Sequence, residues 1–157
     1  MPWQTELMTI AIVGYAMVLG GVVGFERELK NRPAGFRTHM LVAGAAALLV
    51  EIGQLVVQGT SGGDAGTLRV DPLRLVEAVI SGVAFIGAGT IFARRSEDSV
   101  EGITTAASLL MVAVIGVAAG FGHHAVAIGS TVLTLLVLTV LNVVEKARKV
   151  AATATKD

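Results

Sequence analysis

Five apolar runs, almost free of charge, constrain this chain more than any other feature. Residues 7–25 carry no charge, and Glu6 and Glu26 bracket them. Residues 40–57 are apolar apart from Glu51 and Gln54, and 78–93, 103–122 and 125–144 carry no charge at all. A hydrocarbon core about 30 Å thick takes about 20 helical residues to cross. A water-soluble bundle of such helices would need polar faces that this chain does not offer. The expected fold is therefore all-α: a polytopic membrane protein, a bundle of five transmembrane helices over about 7–25, 38–57, 73–93, 103–122 and 125–145. They form one domain, 1–150, and a short polar tail follows at 151–157, expected to fray.

Composition agrees. Of 157 residues, 54% are hydrophobic and 15% charged, against roughly a quarter charged in soluble chains. The formal net charge is zero, so no basic field points to nucleic acid. Cysteine is absent, which excludes disulfides, thiolate catalysis and cysteine metal sites. The first run has Glu6 where a secretory signal has a basic segment, so it is expected to remain as a helix.

Basic residues set the expected orientation. Arg27, Lys30, Arg32 and Arg37 follow the first run, Arg94 and Arg95 the third, and Lys146, Arg148, Lys149 and Lys156 the fifth. Only Arg69 and Arg74 fall on the other face. The positive-inside rule then puts the N-terminus outside and the C-terminus in the cytoplasm. The Gly-rich segment 60–72 would face outside. It ends in Asp71-Pro72, an N-cap followed by proline at the first helical position. His123-His124 is so short a connection that the helices on either side must be antiparallel neighbours.

Lipid gives helices no hydrophobic reason to meet, so small residues that let backbones approach matter. Gly20 and Gly24 form one G-x-x-x-G pair and Gly116 and Gly120 another, while Gly82, Gly87 and Gly89 line the third helix. These glycines either pack the monomer or form a homo-oligomer face.

Three motifs occur in order: GFERELKNRPAGFRTHMLV, DPLRLVEAVISGVAFIGAGTIF and GITTAASLLMVAVIGVAAGFG. Together they resemble the MgtC/SapB family of bacterial membrane proteins, over nearly the whole chain. The family's characteristic residues match at Glu26, Arg27, Glu28, Gly35, Arg37, Thr38, His39, Asp71, Pro72, Gly82, Gly87, Gly89, Gly102, Thr104, Thr105 and Gly116. Leu110 departs from the tryptophan common in relatives. The resemblance implies a multi-pass inner-membrane protein linked to magnesium limitation and, in pathogens, to virulence and stress adaptation inside macrophages. It implies inhibition of ATP synthase through membrane contacts, with Mg²⁺ transport as the alternative label. Longer members add a cytoplasmic ACT-like domain, and this chain is expected to be a short, membrane-only member.

The polar positions carry the remaining expectations. In 24–39, Glu26 and Glu28 end the first helix while Arg37, Thr38 and His39 begin the second. Acid at a helix C-terminus and base at an N-terminus are each unfavourable alone. The arrangement makes sense if Arg37 reaches Glu26 or Glu28 across the turn at Pro33-Ala34-Gly35, latching the two helices together. The alternative is a set of anchors facing lipid headgroups. On the other face, Glu51 and Glu77 reach similar depth with Asp71 above them, and the three could hold a hydrated Mg²⁺, which needs only one or two carboxylates. The competing reading pairs Arg74 with Glu77 and lets Glu51 snorkel. Thr104 and Thr105 are expected to cap the fourth helix, and the acidic run Glu97, Asp98 and Glu101 to form a solvated loop beside Arg94 and Arg95. His123 and His124 read as a polar turn. No catalytic triad, P-loop or dinucleotide fingerprint is present; the chain is not expected to be an enzyme or to carry a resident cofactor.

Overall fold

The computed structural model describes residues 2–60, 71–92 and 102–154, with side chains placed for 3–57, 71–92 and 102–140. The protein is all-α. Its helices are α1 (Pro2–Leu29), α2 (Phe36–Thr60), α3 (Pro72–Phe92), α4 (Ile103–Gly120) and α5 (His124–Ala154). Among the described residues, α1 to α4 are long and apolar enough to cross a membrane, and α5 has a shorter apolar stretch, His124–Val140. The segment 61–70 with Arg69, the run 93–101 with Arg94, Arg95, Glu97, Asp98 and Glu101, and Lys156 lie outside the described residues. So do the side chains of Lys146, Arg148 and Lys149.

Local chemistry explains where the helices stop. Asn31 adopts the left-handed conformation, φ 51°. Its N–H donates to the Glu28 carbonyl at 2.9 Å, and the Arg32 N–H to the Arg27 carbonyl at 3.0 Å. This is a Schellman motif, which occupies carbonyls that the end of α1 would otherwise leave free. Gly122, φ 76°, ends α4 in the same way: Gly122 N–H meets Ala119 O at 2.9 Å and His123 N–H meets Ala118 O at 2.8 Å. At the start of α3, the Asp71 carboxylate accepts the Leu73 N–H at 3.0 Å, as the Asp-Pro pair predicts.

Helix α4 touches all four other helices, and α2 packs between α1 and α4. The close approach is made by glycines. A Cβ on Gly24 would lie 2.9 Å from the Gly35 carbonyl oxygen, and one on Gly20 would meet the His39 carbonyl and Ala43. From the other side Gly116 presses on the Ala43 carbonyl and Gly120 on Val50, at 2.9 Å. Ala43, Val50, Leu109, Val112 and Ala113 are fully buried there. Helix α3 lies against α4 and one edge of α2, and buries only Val79, Val83 and Gly87. Large apolar side chains such as Leu7, Ile10, Phe85 and Leu133 stand exposed around the outside. Water would not tolerate that surface, whereas hydrocarbon suits it.

Candidate functional site

A polar hub forms where α1 turns into α2. The Glu28 carboxylate accepts the backbone N–H of Phe36 at 2.8 Å, capping α2 from the preceding helix. A carboxylate is well placed there, because free amides and the helix dipole both favour negative charge at an N-terminus. Lys30 forms an ion pair with Glu26 and donates to the Leu138 carbonyl on α5 at 3.0 Å. Arg27 is 1% exposed. Its Nη1 stands 3.9 Å from Glu26 Oε2, and its Nε and Nη2 have no hydrogen-bond partner among the described residues. His39, fully buried, contacts the Gly35 carbonyl through Nδ1 at 2.9 Å and Ser108 Oγ on α4 through Nε2 at 3.0 Å.

The latch thus exists in a form other than the Arg37 pairing read from charge. Arg37 is exposed and makes no ion pair with Glu26 or Glu28 among the described residues. The cause is helix phase. His39 faces Gly24 of α1, and two residues earlier the helix points about 200° away, at 3.6 residues per turn. The Glu28-to-amide contact closes the turn instead, while the Glu26–Lys30 pair lies at the end of α1. Thr38 is half-buried beside them.

At the opposite end of α2, Glu51 is 9% exposed and accepts a hydrogen bond from Thr9 Oγ1 on α1 at 2.9 Å. Asp71, just ahead of α3, and Glu77 on it are exposed. The three carboxylates are not brought together: no group of three or more metal-capable side chains occurs among the described residues. Phase explains this too, since Glu51 faces α1 while α3 comes against α2 at Gly53, through Leu75, two residues and about 200° around the helix from Glu51. Arg74 is exposed and forms no ion pair with Glu77 among the described residues, and Glu51 is held by Thr9 rather than snorkelling.

Of the small-residue positions, Gly87 packs on α4, where a Cβ added to it would lie 3.2 Å from the Ala106 methyl, whereas Gly82 and Gly89 have nothing within 4 Å. At the start of α4 the cap is Gly102, φ 94°, with no side-chain cap bond; a Cβ there would strike the Thr90 carbonyl at 2.6 Å. Thr104 is exposed and Thr105 buried. Thr105 contributes its carbonyl, which accepts the Ser108 hydroxyl at 2.8 Å.

The MgtC family model matches residues 13–147. The chain belongs to the MgtC family. This MgtC-family chain is 39% identical over 130 residues to Protein MgtC of Brucella abortus, covering 81% of this chain and 50% of that protein. It is 35% identical over 134 residues to Protein SapB of Bacillus subtilis, 85% of this chain and 56% of that one. It is likewise 35% identical over 127 residues to the Putative magnesium transporter YhiD of Escherichia coli, 81% of this chain and 57% of that one. The chain therefore spans about half the length of the curated relatives it matches. No solved structure matches it. Family membership and the apolar helices make it a multi-pass protein of the bacterial inner membrane.

Sequence reasoning passed over Ser108 and Thr9 in this MgtC-family chain. Both left a signal. Each is a hydroxyl inside a charge-free run, where hydrocarbon rewards a polar group only if it has a partner. Ser108 also sits three residues after Thr105, on the same side of α4.

Proposed function

We propose that this protein acts in magnesium homeostasis as a non-catalytic regulator, through helix–helix contact with another membrane complex; ATP synthase is the complex the family resemblance implies. The observation that carries this reading is the open face of α3. Gly82 and Gly89 have nothing within 4 Å, although the pairs Gly20–Gly24 and Gly116–Gly120 are both filled by the protein's own helices. A small-residue face in lipid suits a second helix packed at close range. The magnesium link comes from the names of its relatives, Protein MgtC and Putative magnesium transporter YhiD.

The topology that fits is five crossings, with the N-terminus outside and the C-terminus cytoplasmic. The hub at the α1–α2 turn then lies at the cytoplasmic interface, where the exposed Arg32 and Arg37 meet anionic headgroups. Affinity capture from native membranes at several Mg²⁺ levels tests the contact. Recovery of a membrane complex that is lost in Gly82→Leu supports it. Recovery of the protein alone, at every Mg²⁺ level, removes it.

One observation favours a second reading. Glu51 is a carboxylate buried inside a span, and such groups are costly unless they serve a function. Divalent-cation transport through Glu51 would show as Mg²⁺ uptake in proteoliposomes, abolished in Glu51→Gln. Measuring ATP and Mg²⁺ content together in a deletion strain separates the two. Altered ATP at unchanged Mg²⁺ content supports regulation, and the reverse supports transport.

A further inference from the structure

A groove of about 290 Å³ runs between α4 and α5, walled by Ala107, Met111, Leu133 and Val137. All four are exposed, so the groove opens towards lipid. Ser108 and Thr134 also line it, but their hydroxyls sit on carbonyls of their own helices, Thr105 O at 2.8 Å and Ser130 O at 2.7 Å. The groove therefore offers an occupant hydrocarbon contact and little hydrogen bonding. From Thr104 to Met111 it is about 10 Å long, at 1.5 Å per residue.

The polar hub holds one end of this groove from both walls. Ser108 of α4 meets His39 Nε2 at 3.0 Å, and the Leu138 carbonyl of α5 accepts Lys30 Nζ at 3.0 Å. Charge at that end does not balance. Residues 24–39 carry four basic and two acidic side chains. Glu28 is committed to the Phe36 amide. Glu26 is shared: it pairs with Lys30 and also stands 3.9 Å from Arg27 Nη1. Arg27 is buried, and its Nε and Nη2 have no hydrogen-bond partner among the described residues. A buried charge without full compensation is costly. Helix α4 has no ionisable residue, and over 124–140 α5 has only His124, at the far end.

We propose that the hub end of the α4–α5 groove binds an anionic phospholipid, with one acyl chain along the groove and the phosphate at Lys30. An ammonium has three N–H donors. Lys30 uses one on Glu26 and one on the Leu138 carbonyl, and its side chain is 28% exposed. The third donor is open to a phosphate oxygen. Arg27 lies too deep to touch the lipid and acts through its field. An anion at Lys30 offsets part of that buried charge, and the attraction is stronger at low dielectric than in water. Arg32, exposed at the turn, adds to it.

The groove and the charge do different work. In a bilayer any open apolar groove fills with lipid tails, because hydrocarbon is the solvent there. The groove by itself therefore selects nothing, and a zwitterionic lipid fills it equally well. The hub adds the choice of headgroup, since only a lipid with net negative charge brings compensation to the mouth. The inference holds in whichever leaflet the hub lies, and is independent of the partner or ion the protein serves.

The test uses the full chain in detergent micelles, with native mass spectrometry reading the lipid retained as dioleoyl phosphatidylglycerol or dioleoyl phosphatidylcholine is added. One phosphatidylglycerol per chain should be held about fivefold more tightly than phosphatidylcholine, the factor that one basic residue supplies at an anionic surface. Lys30→Gln should abolish that preference. Arg37→Gln removes the same charge on the side of α2 turned away from the hub, and should keep it. Ala107→Leu fills the groove and should weaken both lipids by about fivefold or more. Helical circular dichroism equal to the parent's verifies each fold. Should Lys30→Gln misfold, Ala107→Leu carries the test, because it leaves the hub intact. Equal retention of the two lipids overturns the proposal, as does equal loss of preference in Lys30→Gln and Arg37→Gln. Retention unmoved by Ala107→Leu overturns it too. So does displacement of the lipid by inorganic phosphate at equal concentration, which would make the mouth a site for a free anion.

Discussion

Helices α2 and α3 have nearly the same make-up of small and apolar residues, yet their surroundings are opposite. Both sides of α2 are pressed by glycines from α1 and α4, so Ala43, Ala46 and Ala47 lie in the core. Helix α3 has glycines of its own, and two of them, Gly82 and Gly89, face open space. A small residue therefore has no fixed meaning in a membrane helix. Between α2 and its neighbours it brings backbones together within the chain, and on α3 it leaves a shallow face unfilled. The groove between α2 and α3, about 400 Å³, is lined by apolar side chains including Leu41, Leu49, Val79 and Ile86.

Gly116 and Gly82 test that contrast most directly. Gly116→Leu drives a side chain into the Ala43 carbonyl, and should lower stability in detergent by about 3 kcal/mol, the upper end for overpacking. Gly82→Leu should change it by less than about 0.5 kcal/mol, as surface substitutions do. Equal losses in thermal melts would mean that α3 is packed as tightly as α2.

The hub offers the next largest effects. Glu28→Ala removes the cap of α2 and should cost about 1 kcal/mol, read from the same melts. Thr9→Val leaves Glu51 buried without its donor and should also cost about 1 kcal/mol. A threonine-to-serine change, which keeps the hydroxyl, should recover most of that loss. Arg37→Gln is expected to have the smallest effect, within about 0.5 kcal/mol, because Arg37 is exposed. A larger loss there would restore the cross-turn ion pair.

How far the sequence could be read depended on whether a feature needs helix phase. Charge-free runs located all five helices, since run length and hydropathy do not depend on rotation. Their ends were less visible. Hydropathy tracks the lipid-compatible stretch, but α1 continues beyond residue 25 until Asn31 closes its carbonyls, and α5 runs on to Ala154, past the expected end near 145. Asp71 was legible because a cap is local. Arg37 and Glu51 were not. Each was matched by charge and depth, and at about 100° per residue a correct depth still leaves the facing side undetermined. Gly35 and Gly24 carried the missing information: their contact turns His39 inward and, with it, Arg37 outward.

The Glu28 cap has a consequence for how the chain is made. The first free amide of α2 is satisfied by an atom that belongs to α1. A ribosome that has delivered only α1 presents a carboxylate without its amide, and a fragment beginning at α2 starts with an N–H that only water or headgroups can serve. Neither helix has its full set of hydrogen bonds by itself, so the pair is the smallest piece in which both ends of the turn are complete.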